Sequence, residues 1–378
     1  MRIFIATGIF HPEPGGPATY LYHLLPELQA RGHDVTVLTF GDDPTDDYPY
    51  PVVRISRRQS YPARQLAYWR AARRLWPGHD VAFVHSFNIP LPANIRPAVG
   101  KVVGDPAWER ATNKGWVEPG LDIDTFQRRR YGPLVEANKL QRARVARRWD
   151  HIIVPSAHRK RMVVGWGVPP ERITVVYNAL PGERPIPVDT AAEARQWLGL
   201  PDDGPLLFTA ARLMPLKGID HTLRALADLP DVRLVVAGEG PARAELEALT
   251  AELGLSDRVR FEGFVERDRL PLYFRAADYT LLYSGGEGLS HTLIESLALG
   301  TPVIASDAGG NPEVVQHVVN GLLVPYVDPA ALVRALHEAF EPGRRAALAA
   351  NTSAGLERFD WAHLVEQTID VLRAAARR

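Results

Sequence analysis

Short runs of β-branched and apolar residues alternate with longer segments of helical period along almost the whole chain, and this alternation restricts the possible folds more than any other feature. RIFIA, DVTVLTF, DVAFVHS and HIIVPS lie in the first half, each followed by a stretch long enough for a helix. Residues 17–32 read as one such helix, with Tyr20, Leu24, Leu25 and Leu28 on one face, Pro17 at its start and Gly32 after it. Strand, helix and strand repeated in this way predict parallel sheets covered on both faces. The Pro-rich segment NALPGERPIPVD, residues 178–189, breaks the pattern as a domain linker does. Beyond it PLLFTAA, VRLVVAG, RVRFEG, ADYTLLY and TPVIAS resume the alternation. The expected architecture is α/β, with two doubly wound domains over residues 1–180 and 181–359. Ligands of such sheets bind at the carboxyl ends of the strands, so a cleft between the domains is the expected site. A last helical segment, residues 360–378, follows the final strand signal and is expected to pack back on the first domain.

A chain of 378 residues exceeds what one hydrophobic core supports, which agrees with two domains. Its 46% apolar and 23% charged residues leave no room for extensive disorder. Cysteine is absent, so disulfides, thiolate zinc sites and a cysteine nucleophile are all excluded. The start, MRIFIATGIF, has no small-residue cleavage site after it, and no apolar run is long enough to span a bilayer. It reads as a first buried strand, and the chain as cytoplasmic. The net charge of zero hides an asymmetry: residues 1–180 hold 25 Lys+Arg against 16 Asp+Glu, and residues 181–378 hold 19 against 28, so the halves carry +9 and −9. Solvated surface charge is one account. The other is that the first half faces an anionic acceptor or an anionic membrane surface.

Three places carry residues suited to chemistry. Gly15 and Gly16 precede the first helix, and a glycine turn at a helix N-terminus offers free N–H groups to a phosphate, although GGP is also an ordinary turn. Arg212 and Lys217 follow PLLFTAA, where two cations suit the oxygens of a diphosphate leaving group. Glu287 and Glu295 lie eight residues apart in EGLSHTLIE, slightly more than two helical turns, on one face if the helix starts early. Paired carboxylates suit acid and base catalysis, metal ligation or recognition of sugar hydroxyls. Metal ligation is the weakest of the three, since only His291 adds a donor between them. The N–H groups of Leu289, Ser290 and His291 suit an anion instead. Phosphate together with hydroxyls describes a nucleotide sugar.

The ordered series GGPATY, RLMPLKG, VAGEGP, FEGFV, EGLSHTLIE, ALGTPVIASDAGGNPEVV and NGLLVP resembles the retaining GT-B glycosyltransferases of glycosyltransferase family 4, across nearly the whole chain. The two glutamates match that family's E-x7-E element. The resemblance implies transfer of a hexose-type sugar from a nucleoside diphosphate sugar to an acceptor hydroxyl on a glycan, lipid or small molecule, with retention and without a metal or other cofactor. By position it implies that Glu287 meets hydroxyls of the donor sugar and Glu295 those of the ribose. Arg212 and Lys217 would neutralise the diphosphate, helped by Gly16 and the amides near Ser290 and His291, while Gly263, Phe264 and Val265 lie near the base. Asn311 is read as a helix cap. Competing readings are a GT-B nucleotide-sugar epimerase or hydrolase, and a non-catalytic sugar-nucleotide sensor.

The resemblance fails on the acceptor side. Many members carry a histidine after the fourth strand of the first domain, where this chain reads KVVGDPAWER. Asp105 there is either a group that orients the acceptor or a helix cap, and His85, at the end of DVAFVHS, is either a competing candidate or structural. The arginine-rich segments 63–76 and 139–150 read as solvated helix faces, or as a peripheral contact with the inner face of a membrane. Their aromatic residues are too sparse for nucleic-acid binding.

Overall fold

The computed structural model describes residues 1–13, 15–42, 47–118, 120–182 and 186–377. Pro14 of the N-terminal glycine turn and residues 183–185 of the Pro-rich connector lie outside the described residues. Among the described residues the strands form two parallel sheets, one in each of two compact units.

The first unit comprises Met1–Arg110, Tyr131–Tyr177 and Trp361–Arg378. Its strands are β1 (Arg2–Ala6), β2 (Asp34–Phe40), β3 (Val52–Ile55), β4 (Val81–Val84), β5 (Ala98–Lys101), β6 (His151–Val154) and β7 (Ile173–Val175), in the order β3-β2-β1-β4-β5-β6-β7. Strand β1 therefore has β2 on one side and β4 on the other, which is where the winding direction reverses. Ile3 to Ala6 and Val81 to Val84 are buried throughout, as a sheet covered on both faces requires. The first helix spans Gly16–Ala30 and buries Ala18, Leu21, Leu24, Leu25 and Leu28, leaving Tyr20 half-buried.

The C-terminal helix Trp361–Ala376 buries Leu364, Val365, Thr368, Ile369 and Leu372, a stripe at three- and four-residue spacing. That stripe packs against the first helix and the β4, β5 and β6 strands, so the last helix does return to the first domain. Arg31 Nε donates to Glu366 Oε1 at 2.6 Å across the same contact.

The second unit comprises Ala111–Arg130 and Asn178–Asp360. Its strands are β8 (Leu206–Ala210), β9 (Arg233–Ala237), β10 (Val259–Gly263), β11 (Tyr279–Leu282), β12 (Val303–Ser306) and β13 (Gly321–Val324), in the order β10-β9-β8-β11-β12-β13. Alternate residues feed two cores: Leu207, Leu234, Val236, Leu281 and Ile304 enter one, and Leu206, Phe208, Val235 and Ala237 the other. Continuous apolar runs, rather than alternating ones, are the consequence.

Residues 111–130 group with this unit, whereas the linker reading puts them in the first domain. Asp122 accepts from Thr125 N at 2.8 Å and caps the short helix Ile123–Arg128, whose Ile123 and Phe126 are buried. The strands β3, β5, β7 and β13, of three or four residues each, were not read as strands from the sequence.

Strand β5 presents two unusual residues on opposite faces. Gly100 lies under the Trp149 ring, where a Cβ would overlap the indole. Lys101 points the other way, 5% exposed, with its Nζ 3.7 Å from the Tyr20 ring centre and without a hydrogen-bond partner. Burial pushes its pKa down from 10.5 to about 7. Between those two values the unfolded chain holds a proton that the folded protein has released, so stability rises with pH across this window. Below it both states are charged, and the folded state carries the full cost of a buried ammonium. Lys101→Met is therefore expected to raise stability at pH 6 by an amount on the order of a few kcal/mol, and by less at pH 9. Urea unfolding of both proteins at the two pH values measures this, and an equal or opposite pH trend would contradict it.

Candidate functional site

In the second unit the loops after β8 and β11 are held together by close backbone contacts. Leu213 N donates to Glu239 O at 3.0 Å and Ala242 N to Leu213 O at 3.1 Å, which lays the 211–213 loop on the loop after β9. Gly238 and Gly240 permit this approach, because a Cβ at either would overlap the carbonyl of Ala211 or of Leu213. Arg212 is thereby carried on a fixed backbone. Its side chain is exposed and pairs with no carboxylate among the described residues.

Next comes the single turn Pro215–Lys217, closed by Gly218 at φ 60°, and then the helix Ile219–Leu226. A Cβ on Gly218 would meet the Tyr283 carbonyl, so this residue brings the β8 and β11 loops together. Gly285 N donates to Leu216 O at 2.9 Å in the same place. Lys217 Nζ reaches Glu287 Oε1 at 2.5 Å, and the two side chains are 20% and 15% exposed.

The helix after this turn begins only at His291, so Glu287 lies outside it and does not share a helical face with Glu295. Its position is set instead by the loop after β12. Gly310 N donates to Glu287 O at 3.0 Å, and Gly309, at φ 63°, lies where a Cβ would be 2.7 Å from Glu287 N. Ser290 caps the helix His291–Ala298, its Oγ accepting from Leu293 N at 3.3 Å. Leu289 and Ser290 are buried before the helix, and the exposed His291 opens it. Glu295 is buried in the helix, and Arg267 Nη2 approaches its carboxylate to 3.9 Å.

At the end of β10, Gly263 at φ 70° receives a hydrogen bond from Gly238 N at 2.7 Å. Phe264 after it is 79% exposed, a large ring open to solvent on a fixed turn, with Val265 half-buried beside it. Asn311 does not cap a helix: its Nδ2 donates to Ser306 O and Oγ at 3.2 and 3.1 Å, fastening the glycine turn to β12. Among the described residues no three carboxylate or imidazole groups converge as a metal site needs.

Two contributions to this region were not read from the sequence. The 111–130 segment packs on it: Ile123 Cγ2 lies 3.7 Å from a Cβ placed on Gly286, beside Glu287. The Asp122 cap and the apolar Ile123 and Phe126 are the signal that could have revealed a buried helix there. Behind the turn, the Tyr283 and Tyr326 rings pack with centres 5.4 Å apart, and Tyr283 Oη donates to Pro325 O at 2.7 Å.

The remaining candidates belong to the first unit. Gly15 precedes the first helix at φ 145°, and Gly16 has open space where a side chain would be. Asp105 is fully buried, its Oδ1 accepts from Ala107 N at 2.8 Å at the start of the helix Pro106–Asn113, and its Oδ2 pairs with the buried Arg142. Both carboxylate oxygens are thus engaged inside the fold. His85 follows β4, with Nε2 buried and unpartnered, and burial together with the nearby Lys101 holds its pKa well below 6.5. The imidazole is therefore neutral. The basic segments form the helices Tyr61–Leu75 and Pro133–Arg148, but Lys139 and Arg142 of the second are buried, so that face is not wholly solvated. Among the described residues no helix is long and apolar enough to cross a membrane.

Residues 14–184 match the family described as Glycosyltransferase Family 4, and residues 191–353 that described as Glycosyl transferases group 1. A D-inositol 3-phosphate glycosyltransferase from Acidothermus cellulolyticus is 30% identical over 411 residues, covering 96% of this chain and 86% of that protein. A protein of the same name from Xylanimonas cellulosilytica is 42% identical over 202 residues, 51% of this chain, and the match spans about half its length, 48%. Among solved structures, Anabaena HepE in complex with UDP-glucose superposes with a TM-score of 0.77 at 22% identity, covering 99% of this chain and 100% of that one, a likeness of fold. The two family matches, and an alignment running through most of the Acidothermus relative, make the chain a member of glycosyltransferase family 4 with that family's GT-B fold.

Proposed function

We propose that the protein is a retaining glycosyltransferase that moves a hexose-type sugar from a nucleoside diphosphate sugar to an acceptor hydroxyl, without a metal. The observation that carries this reading is the 2.5 Å contact of Lys217 with Glu287, in a loop that also carries an Arg212 with no carboxylate partner among the described residues. Breaking the anomeric bond leaves negative charge on the diphosphate and positive character on the sugar. A fixed cation pair meets the first, and charge stabilisation of this kind is usually the largest catalytic effect. Glu287 faces the sugar hydroxyls while Lys217 is released toward phosphate, and Glu295 takes the ribose hydroxyls. The amides ahead of the helix His291–Ala298 face the diphosphate, and Phe264 supplies a ring against the base. On retention, the departing phosphate accepts the acceptor proton on the face it leaves. The HepE complex with UDP-glucose makes UDP-glucose the first donor to try.

The reading is tested by incubating the protein with UDP-glucose and an acceptor panel and following release of UDP together with the anomeric configuration of the product by proton NMR. Acceptor-dependent release with retained configuration is expected, and an inverted product would refute the mechanism. Lys217→Met and Arg212→Ala should each lower turnover by about 10²-fold or more with the melting temperature little changed. Turnover within about twofold of the parent would remove them from the site. Glu295→Gln should mainly weaken nucleotide binding, by about tenfold, the loss of roughly one charge-assisted hydrogen bond. Calorimetry with UDP reads this directly, and unchanged affinity would move the ribose elsewhere.

A further inference from the structure

The first unit contains a cavity of about 430 Å³ whose walls include Gly8, Phe40, Arg57, Arg64, His85 and Arg110. Gly8 follows β1, Phe40 ends β2 and His85 follows β4, so the cavity opens at the carboxyl ends of the strands where the winding reverses. That is where doubly wound sheets bind ligands. Three arginines line it and, among the described residues, no carboxylate does.

The pairing of these arginines is uneven. Arg57 is neutralised by Glu13, Nη2 to Oε2 at 2.7 Å, and also donates to Gly8 O at 2.9 Å. Arg64 is half-buried, with its guanidinium 5.1 and 6.0 Å from the Tyr61 and Phe40 ring centres and no carboxylate partner among the described residues. Arg110 donates to the Asn138 amide oxygen at 2.9 Å, a neutral acceptor, and pairs with no carboxylate among the described residues. His85 Nε2 is a buried polar atom without a partner in the same wall. Two uncompensated guanidinium groups and an orphan imidazole nitrogen around one cavity favour an anion with several acceptor oxygens, because guanidinium groups match phosphate geometry.

We infer that this cavity binds a phosphate ester carried by the acceptor, with Arg64 and Arg110 on its oxygens and His85 in the wall beside it. The inference rests on the proposed transfer reaction and narrows its acceptor to an anionic class. It also gives a place to part of the positive charge of the first half of the chain.

The test uses the full chain saturated with UDP, so that the donor phosphate positions are filled, titrated with inorganic phosphate and with glucose 6-phosphate against glucose as the neutral control. Binding is read by calorimetry and phosphorus NMR line broadening. A parallel arm measures sedimentation with phosphatidylcholine vesicles containing phosphatidylinositol phosphate. Saturable binding in the soluble arm, weakened tenfold or more by Arg64→Ala and by Arg110→Gln, upholds the inference and identifies a soluble ester. The same loss in the vesicle arm alone upholds it with a lipid headgroup as the source. Binding in neither arm, or binding that both variants keep, overturns it. Affinity for UDP, measured first in the same protein, reports on the donor reading alone and should be unchanged in both variants.

Discussion

The region around Arg212, Lys217 and Glu287 depends on backbone lying against backbone. Glu287 is fixed less by its side chain than by the Gly310 amide on its carbonyl and by the closeness of Gly309 to its own amide. Arg212 is fixed in the same way, by a strip of loop on which Gly238 and Gly240 leave space for main chain. Contacts of this kind tolerate no Cβ, and they hold a charged side chain without using its polar atoms. The guanidinium of Arg212 stays free for a ligand as a result. A site that must present a cation to a leaving group gains from this arrangement, because the groups are oriented before the charge develops.

The contact between Lys217 and Glu287 has a further consequence. An exposed ion pair contributes little to stability, since solvent screens it and ordering two side chains costs entropy. This pair is only 20% and 15% exposed, yet it still touches solvent. Its value lies in position: Glu287 offsets the charge of Lys217, while Arg212, earlier in the same loop, pairs with no carboxylate among the described residues. Under the proposed reading a diphosphate replaces the carboxylate as partner of Lys217, and Glu287 turns its oxygens to hydroxyl groups. Binding then exchanges one set of charge-assisted contacts for another, without exposing an unpaired buried charge.

Much of this was legible in the sequence, and for physical reasons. Buried parallel strands must be apolar on both faces, so LLFTA and RLVVA announced themselves. The glycines of VAGEGP and DAGGNP, stretches that the sequence offers only through the family resemblance, lie where a Cβ would overlap backbone. The face shared by Glu287 and Glu295 was not legible, because it assumed a helix that reaches back to Glu287. Where that helix starts is set by the Ser290 cap, and a serine alone does not say whether it caps. The reading of Asn311 failed for the related reason that its amide has two uses, and the tertiary partner Ser306 prevailed over the local one. Residues 111–130 group with the second unit although they precede the linker, because linker composition marks one boundary, whereas a compact unit can take up a segment far from it in sequence.

Charge shows the same limit from another side. The +9 of residues 1–180 is a sum over groups in quite different situations. Arg142 is buried against Asp105, and Lys101 lies over a ring and is only partly ionised near neutral pH. Arg57 is cancelled by Glu13, while Arg64 and Arg110 face a cavity with no acid in its walls among the described residues. Net charge counts these alike, yet only the last two add field where a ligand could feel it. Long-range attraction of an anion depends on the sum, but its capture depends on the unpaired few. An excess of arginine in a sequence therefore argues for an anionic partner only once burial and pairing have removed the arginines that the fold uses for itself.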